Sequence, residues 1–144
     1  MIAVDTNILV YAHREDSPWH DSARRALAEL AEGSGDWAIP WPCVHEFLAI
    51  VTHPRIFKTP TPPPVAAKAV AVFVEAPRIA LLAETDGYWP VLRQLVETGR
   101  LSGPIVHDAR IAALCEVHGV STLWTADRDF SRFPRLHAVN PLLG

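Results

Sequence analysis

The chain has 144 residues, 49% of them hydrophobic and 20% charged, which supports a buried core and excludes a disordered chain. Thirteen Lys+Arg against sixteen Asp+Glu give a net charge of −3, so the chain as a whole is not a basic nucleic-acid binder. Apolar runs such as VAAKAVAVFV at 65–74 are too short or interrupted to span a membrane, the opening MIAVD is not a signal peptide, and two cysteines make no disulfide framework. These features predict a soluble, cytoplasmic protein folded as one domain over 1–144.

MIAV at 1–4 reads as a buried strand that ends in Asp5. Ser17-Pro18 reads as the cap and first residue of a helix, with Trp19, Ala23, Ala26, Leu27, Leu30 and Ala31 at helical spacing up to Gly33. Trp37–Ile39 is a short strand, and Pro42 opens a helix carrying Cys43, Phe47, Ile50 and Val51 on one face. The run TPTPPP at 59–64 is a stiff connector. A helix at 64–75 and a strand at 79–83 follow, and Asp86 is expected to cap a helix bearing Trp89, Leu92, Leu95 and Val96. The last elements are a helix from about His107 to Gly119, a strand over Thr122–Thr125 and a turn or short helix at 126–133. This alternation predicts a parallel sheet covered by helices on both faces. In such sheets ligands bind beyond the carboxyl ends of the strands.

That rule selects four acids. Asp5 and Asp127 follow strands directly. Asp108 lies in the first turn of its helix, on the face of Ile111, Ala112 and Cys115, and Glu46 borders the buried face of its own helix. Each alone has an ordinary role as a cap, turn former or first-turn acid. Together they imply a site, because four carboxylates at one sheet edge repel one another unless a divalent cation sits among them. Oxygen-only ligands favour Mg²⁺ or Mn²⁺. Setting these four aside leaves thirteen cations against twelve anions, so an RNA substrate stays compatible with the total charge.

Other chemistries lack their residues. No glycine-rich phosphate loop, zinc-protease helix or nucleophile elbow is present. A signalling receiver domain needs a lysine after a late strand, and no lysine follows Lys68. A haloacid-dehalogenase phosphatase needs an aspartate where Asn7 stands.

The segments MIAVDTNILVYA, PCVHEFLAI, HDARIAAL and TADRDF resemble the acidic motifs of PIN-domain nucleases, and more narrowly those of VapC-type toxins of bacterial toxin–antitoxin pairs. The resemblance runs from Met1 to about Pro134. It implies a three-layer α/β/α fold with a central parallel sheet and a pocket of Asp5, Glu46, Asp108 and Asp127 holding Mg²⁺ or Mn²⁺. It also implies RNA cleavage, homodimerisation and silencing by a small VapB-like antitoxin. The third motif departs from many relatives at His107 and Arg110, and TPTPPP is a subgroup feature.

Hydrolysis of a phosphodiester by carboxylate-held metal fits these residues without the family. Asp5 is the candidate central ligand, with Asp108 and Asp127 beside it, and Glu46 ligates through water or orients the attacking water. Thr6, Asn7 and Thr125 hold loop geometry or the phosphate. Asp129 is a fifth, outer acid or the cap of the turn through Phe130. Arg14, Arg55, Lys58, Arg110, Arg128 and Arg132 are candidate RNA contacts. Asparagine at Asp5 or at Asp108 is expected to abolish cleavage without lowering metal-free stability. The remaining rival is a catalytically silent RNA- or protein-binding module on the same fold.

Overall fold

The computed structural model of the protein describes residues 1–143. Its described elements in chain order are β1 (Ile2–Val4), α1 (Thr6–His13), α2 (His20–Glu32), β2 (Trp37–Pro40), α3 (Trp41–Val51), α4 (Pro63–Val74), β3 (Ile79–Leu82), α5 (Tyr88–Gly99), α6 (Ile105–Val117), β4 (Thr122–Trp124) and β5 (His137–Val139). Two 3-10 turns lie at Arg128–Arg132 and Pro141–Leu143. The strands form one all-parallel sheet in the order β3-β2-β1-β4-β5.

That order fixes the layers. From β1 the chain steps outward to β2 and β3, then crosses back over both to reach β4 and β5. Right-handed crossovers in opposite directions put their helices on opposite faces. Accordingly α1 packs on α2 and α3, and α3 on α4, while α5 and α6 pack on each other. The fold is a three-layer α/β/α sandwich. The order in which the chain adds strands reverses between β1 and β4, which makes the crevice at their carboxyl ends the expected ligand site.

Burial follows the layers. All four residues of β2 are buried, as a strand covered on both faces requires. Trp37, Phe47 and Phe130 are the largest fully buried side chains of the core. Proline sits at the start of both α3 and α4, where its missing N–H has no intrahelical partner to lose. After α6, Gly119 takes the left-handed conformation at φ 70° that commonly ends a helix.

Four elements depart from the sequence reading. Thr6–His13 is a helix, although Thr6, Ile8 and Val10 are poor helix formers; Ile8 and Leu9 are completely buried, and that packing outweighs propensity. The helix α2 begins at His20, because Ser17 Oγ accepts a hydrogen bond from Trp19 N at 3.1 Å and holds the segment in a turn. Asp86 caps nothing: Gly87 stands at the cap position of α5, with no side-chain cap bond. The edge strand β5 is an addition, carried by residues too few and too exposed to show alternation.

Candidate active site

The carboxyl end of β1 is tied to β4 by a bond from Asp5 N to Trp124 O at 2.9 Å. Asp5 then caps α1, its Oδ1 accepting from Thr6 N at 2.8 Å. Its side chain is a floor to the crevice, 4% exposed. Oδ2 accepts from Thr125 Oγ1 at 2.7 Å and Asn7 Nδ2 at 3.1 Å, and the Cys43 Sγ–H donates to Oδ1 at 3.6 Å. Burial raises the Asp5 carboxyl above its ordinary range, and these hydrogen bonds offset part of the rise.

Thr125 and Asn7 lock the floor to the loop after β4. Thr125 Oγ1 accepts from Asn7 Nδ2 at 3.2 Å and from Asp127 N at 3.0 Å, while Asn7 Oδ1 accepts from Ala126 N at 3.0 Å. Both side chains are therefore committed to loop geometry. Thr6 plays the same part on the other side, donating Oγ1–H to Glu46 Oε2 at 2.9 Å.

The rim is made differently. One carboxylate oxygen each from Asp108, Asp127 and Asp129 lies within 4.8 Å of the others. The Asp108 carboxyl is pushed up to about 6, first by burial and then by the charges of Asp127, Asp5, Asp129 and Glu46. The charges of the other three acids expected from the sequence thus reach Asp108, as does that of Asp129, while the close cluster is Asp108, Asp127 and Asp129 without Asp5 or Glu46. Among the described residues, no arginine or lysine forms an ion pair with any of the five.

Two assignments change. The cap of the turn Arg128–Arg132 is Asp127, whose Oδ1 accepts from Asp129 N at 2.9 Å; Asp129 is the third acid of the cluster with Asp108 and Asp127. Arg14 lies at the far end of α1. Its guanidinium is spent on Asp16, the Thr59 carbonyl and Thr61 Oγ1, and stacks 4.0 Å over Phe57. It clamps the proline-rich connector and contributes nothing to the crevice. Arg110 is paired with Glu84 at 3.4 Å on the surface, whereas Arg128 is exposed beside the acids. The sequence reading missed Cys43 as a donor to Asp5, although its position three residues before Glu46 on one helix face is a usable signal.

The donor set fits a hard divalent cation. It is all carboxylate oxygen, and its members are close enough to need positive charge between them. Sulfur is not on offer, since burial drives the Cys43 thiol well above its ordinary range and the Cys115 thiol to about 12.

Comparison with known proteins agrees with this geometry. The PIN domain model matches residues 2–136. Ribonuclease VapC48 of Mycobacterium tuberculosis is 34% identical over 140 residues, covering 97% of both chains. Ribonuclease VapC43 of the same species is 36% identical over 144 residues, covering 100% of this chain and 97% of its own. The chain belongs to the PIN-domain family, in its VapC branch. Among solved structures, Rickettsia felis VapBC2 bound to a promoter DNA fragment superposes with a TM-score of 0.67 at 24% identity, over 97% of this chain and 98% of its own. Mycobacterium tuberculosis VapC20, a sarcin–ricin-loop-cleaving toxin, superposes at 0.65 with 18% identity, over 91% and 93%.

Proposed function

We propose that the protein is a divalent-metal-dependent endoribonuclease, the toxin of a type II toxin–antitoxin pair, working as one domain over 1–144. The observation that carries the reading is the convergence of Asp108, Asp127 and Asp129 to within 4.8 Å, above the buried Asp5, at the switch point of a parallel sheet. VapC relatives named ribonucleases support the same activity.

Asp5, Asp108, Asp127 and Glu46 hold Mg²⁺ or Mn²⁺, with Asp129 as an outer acid. When bound, the ion supplies positive charge at the scissile phosphate and lowers the pKa of the attacking water. Each side chain has a distinct task. Asp5 is held rigid by four donors, so its oxygens keep one position. The long Cys43 contact at 3.6 Å is the weakest of the four, so Asp5 Oδ1 would be the oxygen freest to hold the ion. Glu46 is pinned through Oε2 by Thr6, which leaves Oε1 to orient water. Asp108 and Asp127, each with a carboxylate oxygen within 4.8 Å of the other's, would complete the ligand set.

The partner is a small VapB-like antitoxin, in keeping with neighbours solved as VapBC and FitAB assemblies. It covers the acids and brings an arginine or lysine among them in place of the ion. Homodimerisation uses α4, where Val65 is 48% and Val72 70% exposed and Ala66 is the one buried residue. The protein acts in the cytoplasm; among the described residues no helix is long and apolar enough to cross a membrane.

The test is incubation with structured RNAs in Mn²⁺, in excess EDTA, and with Asp127→Asn. Cleavage by the parent in Mn²⁺ alone is the expected result. Cleavage undiminished in EDTA overturns metal dependence, and RNA binding without cleavage in any condition favours a silent binding module.

A further inference from the structure

Next to the acids, on the β5 side, the surface opens into a cavity of about 470 Å³. That lies within the range of roughly 300–1,000 Å³ usual for small-ligand pockets. Thr125 and Asp127 form its wall toward the acids, and Arg128, Ser131, Asn140 and Leu143 line the rest. The cavity therefore shares a ligand-bearing loop with the candidate metal site. Anything seated in it lies directly against Asp127.

Three of the lining side chains carry hydrogen-bonding groups that the fold does not use. Asn140 Oδ1 accepts from Leu142 N at 3.0 Å, capping the last 3-10 turn. A backbone N–H can only meet the oxygen of the amide, so the side chain's orientation is set and Nδ2 is the end left over. Among the described residues, Asn140 Nδ2, Ser131 Oγ and the Arg128 guanidinium make no hydrogen bond or ion pair. Arg128 stays unpaired although Asp127 and Asp129 flank it in the chain. Leu143, 75% exposed, adds an apolar surface at the mouth.

We infer that this cavity is the subsite for one unstacked nucleotide flanking the scissile phosphate, with Arg128 on the strand's phosphate and Asn140 on the base edge. The inference rests on the nuclease reading and deepens it. A strongly acidic site repels an RNA strand, so a cation beside it is needed to seat the neighbouring phosphate. Arg128 is the arginine of the crevice not already paired, and its planar fork suits phosphate oxygens. Single-stranded RNA is recognised through splayed bases bonded at their edges. The free Nδ2–H of Asn140 selects bases that present an acceptor there. Leu143 covers the face of the base.

The experiment uses the full chain in two arms. In the first, the parent and Asn140→Asp cleave an RNA pool with randomised flanks in Mn²⁺, and the cut positions are sequenced. Asn140→Asp keeps the acceptor for Leu142 N but removes the donor, so the turn stays capped. The expected result is an about tenfold loss of base discrimination at one flanking position and none elsewhere. In the second arm, a short single-stranded RNA is bound by Asp108→Asn and by Asp108→Asn with Arg128→Gln across a salt series. Arg128→Gln is expected to weaken binding alike for all sequences and to lower the salt slope by about 1. Cleavage by the parent and by Asn140→Asp with the same base preference, or a salt slope unchanged by Arg128→Gln, overturns the subsite and leaves the nuclease reading standing. A parent that neither binds nor cleaves RNA overturns both.

Discussion

Asp5 and Asp108 carry the same carboxylate into one crevice under different conditions. Asp5 is buried and accepts four hydrogen bonds, from Thr6 N, Asn7, Thr125 and Cys43. Asp108 is half-buried and accepts none from the described residues, and burial first, then the charges of four other acids, push its carboxyl to about 6. The floor is thus compensated in part within the fold, whereas Asp108 at the rim has no hydrogen bond from the described residues to offset its burial and its crowded charge. On the proposed reading, a site divided this way would keep its geometry without the ion, and the ion would relieve repulsion concentrated at the rim.

The comparison is broken most directly by asparagine at each position. Both Asp108→Asn and Asp5→Asn are expected to lose cleavage by at least about a hundredfold. Their melts in EDTA should separate them. Asp108→Asn removes one of five crowded charges and is expected to melt at or above the parent. Asp5→Asn is expected to melt lower, by about 1–3 kcal/mol, because its new Nδ2 must face donors on either side. Thr125 Oγ1 already accepts from Asn7 and Asp127 N, so only its hydrogen points at Asp5; turning the amide over presents Nδ2 to Thr6 N and Cys43 instead. The sequence alone treats the two acids as equivalent, and this network is what distinguishes them. Equal melting temperatures for the two variants would remove the distinction.

The ion itself gives the next largest effect. Mn²⁺ at a hundredfold over its dissociation constant is expected to stabilise the parent by about 2.7 kcal/mol, and Asp108→Asn by clearly less. A melt that does not move with Mn²⁺ would mean that the rim does not close on a cation.

A smaller and slower trend should appear with pH in EDTA. The Asp108 carboxyl titrates near 6 when folded and near 3.8 when unfolded. Between those values the folded chain holds more protons, so stability falls as pH rises, and the penalty is complete above about 6. The raised Asp5 carboxyl acts in the same direction. The parent's melting temperature should therefore drop between pH 5 and pH 7.5 more steeply than that of Asp108→Asn. Parallel pH profiles would show that Asp108 carries no such burden.

What the sequence made legible follows the same division. The acids at strand ends were readable because a carboxylate directly after an apolar run has few structural reasons to be there, as with Asp5 after MIAV. The strand order was readable only as a class, since alternation of strands and helices predicts a parallel sheet without saying where it reverses. The helix α1 was hidden because Thr6, Ile8 and Val10 favour strands and their burial is a tertiary fact. Asp127 rather than Asp129 caps the turn, while both stay among the clustered acids, because one backbone N–H decides between them. Periodicity carries no information on that choice.

Arg14 gives the smallest effect and the sharpest contrast with the site. As one of eleven arginines it read as a phosphate contact. It stands instead beyond the far end of α1, a helix of eight residues and so about 12 Å long, away from Asp5. Its side chain is 11% exposed, donates to the Thr59 carbonyl at 2.8 Å, and stacks on Phe57 at 4.0 Å. That contact fastens the proline-rich connector, helped by a bond between His13 Nε2 and Thr61 Oγ1 at 3.0 Å. Arg14→Ala is therefore expected to lower stability by about 1–2 kcal/mol, through the lost hydrogen bonds to Thr59 and Thr61 and one cation–π contact. Cleavage measured well below the melting temperature should stay within about twofold of the parent, and RNA affinity should keep its salt slope. Arg14→Lys separates the two roles further, because lysine keeps the charge an RNA would need but cannot reproduce the planar stack and the forked bonds. If Arg14→Lys rescues a loss of RNA binding but not of stability, the residue reaches the substrate after all. If it rescues neither because only stability was lost, the connector clamp is the whole of its function.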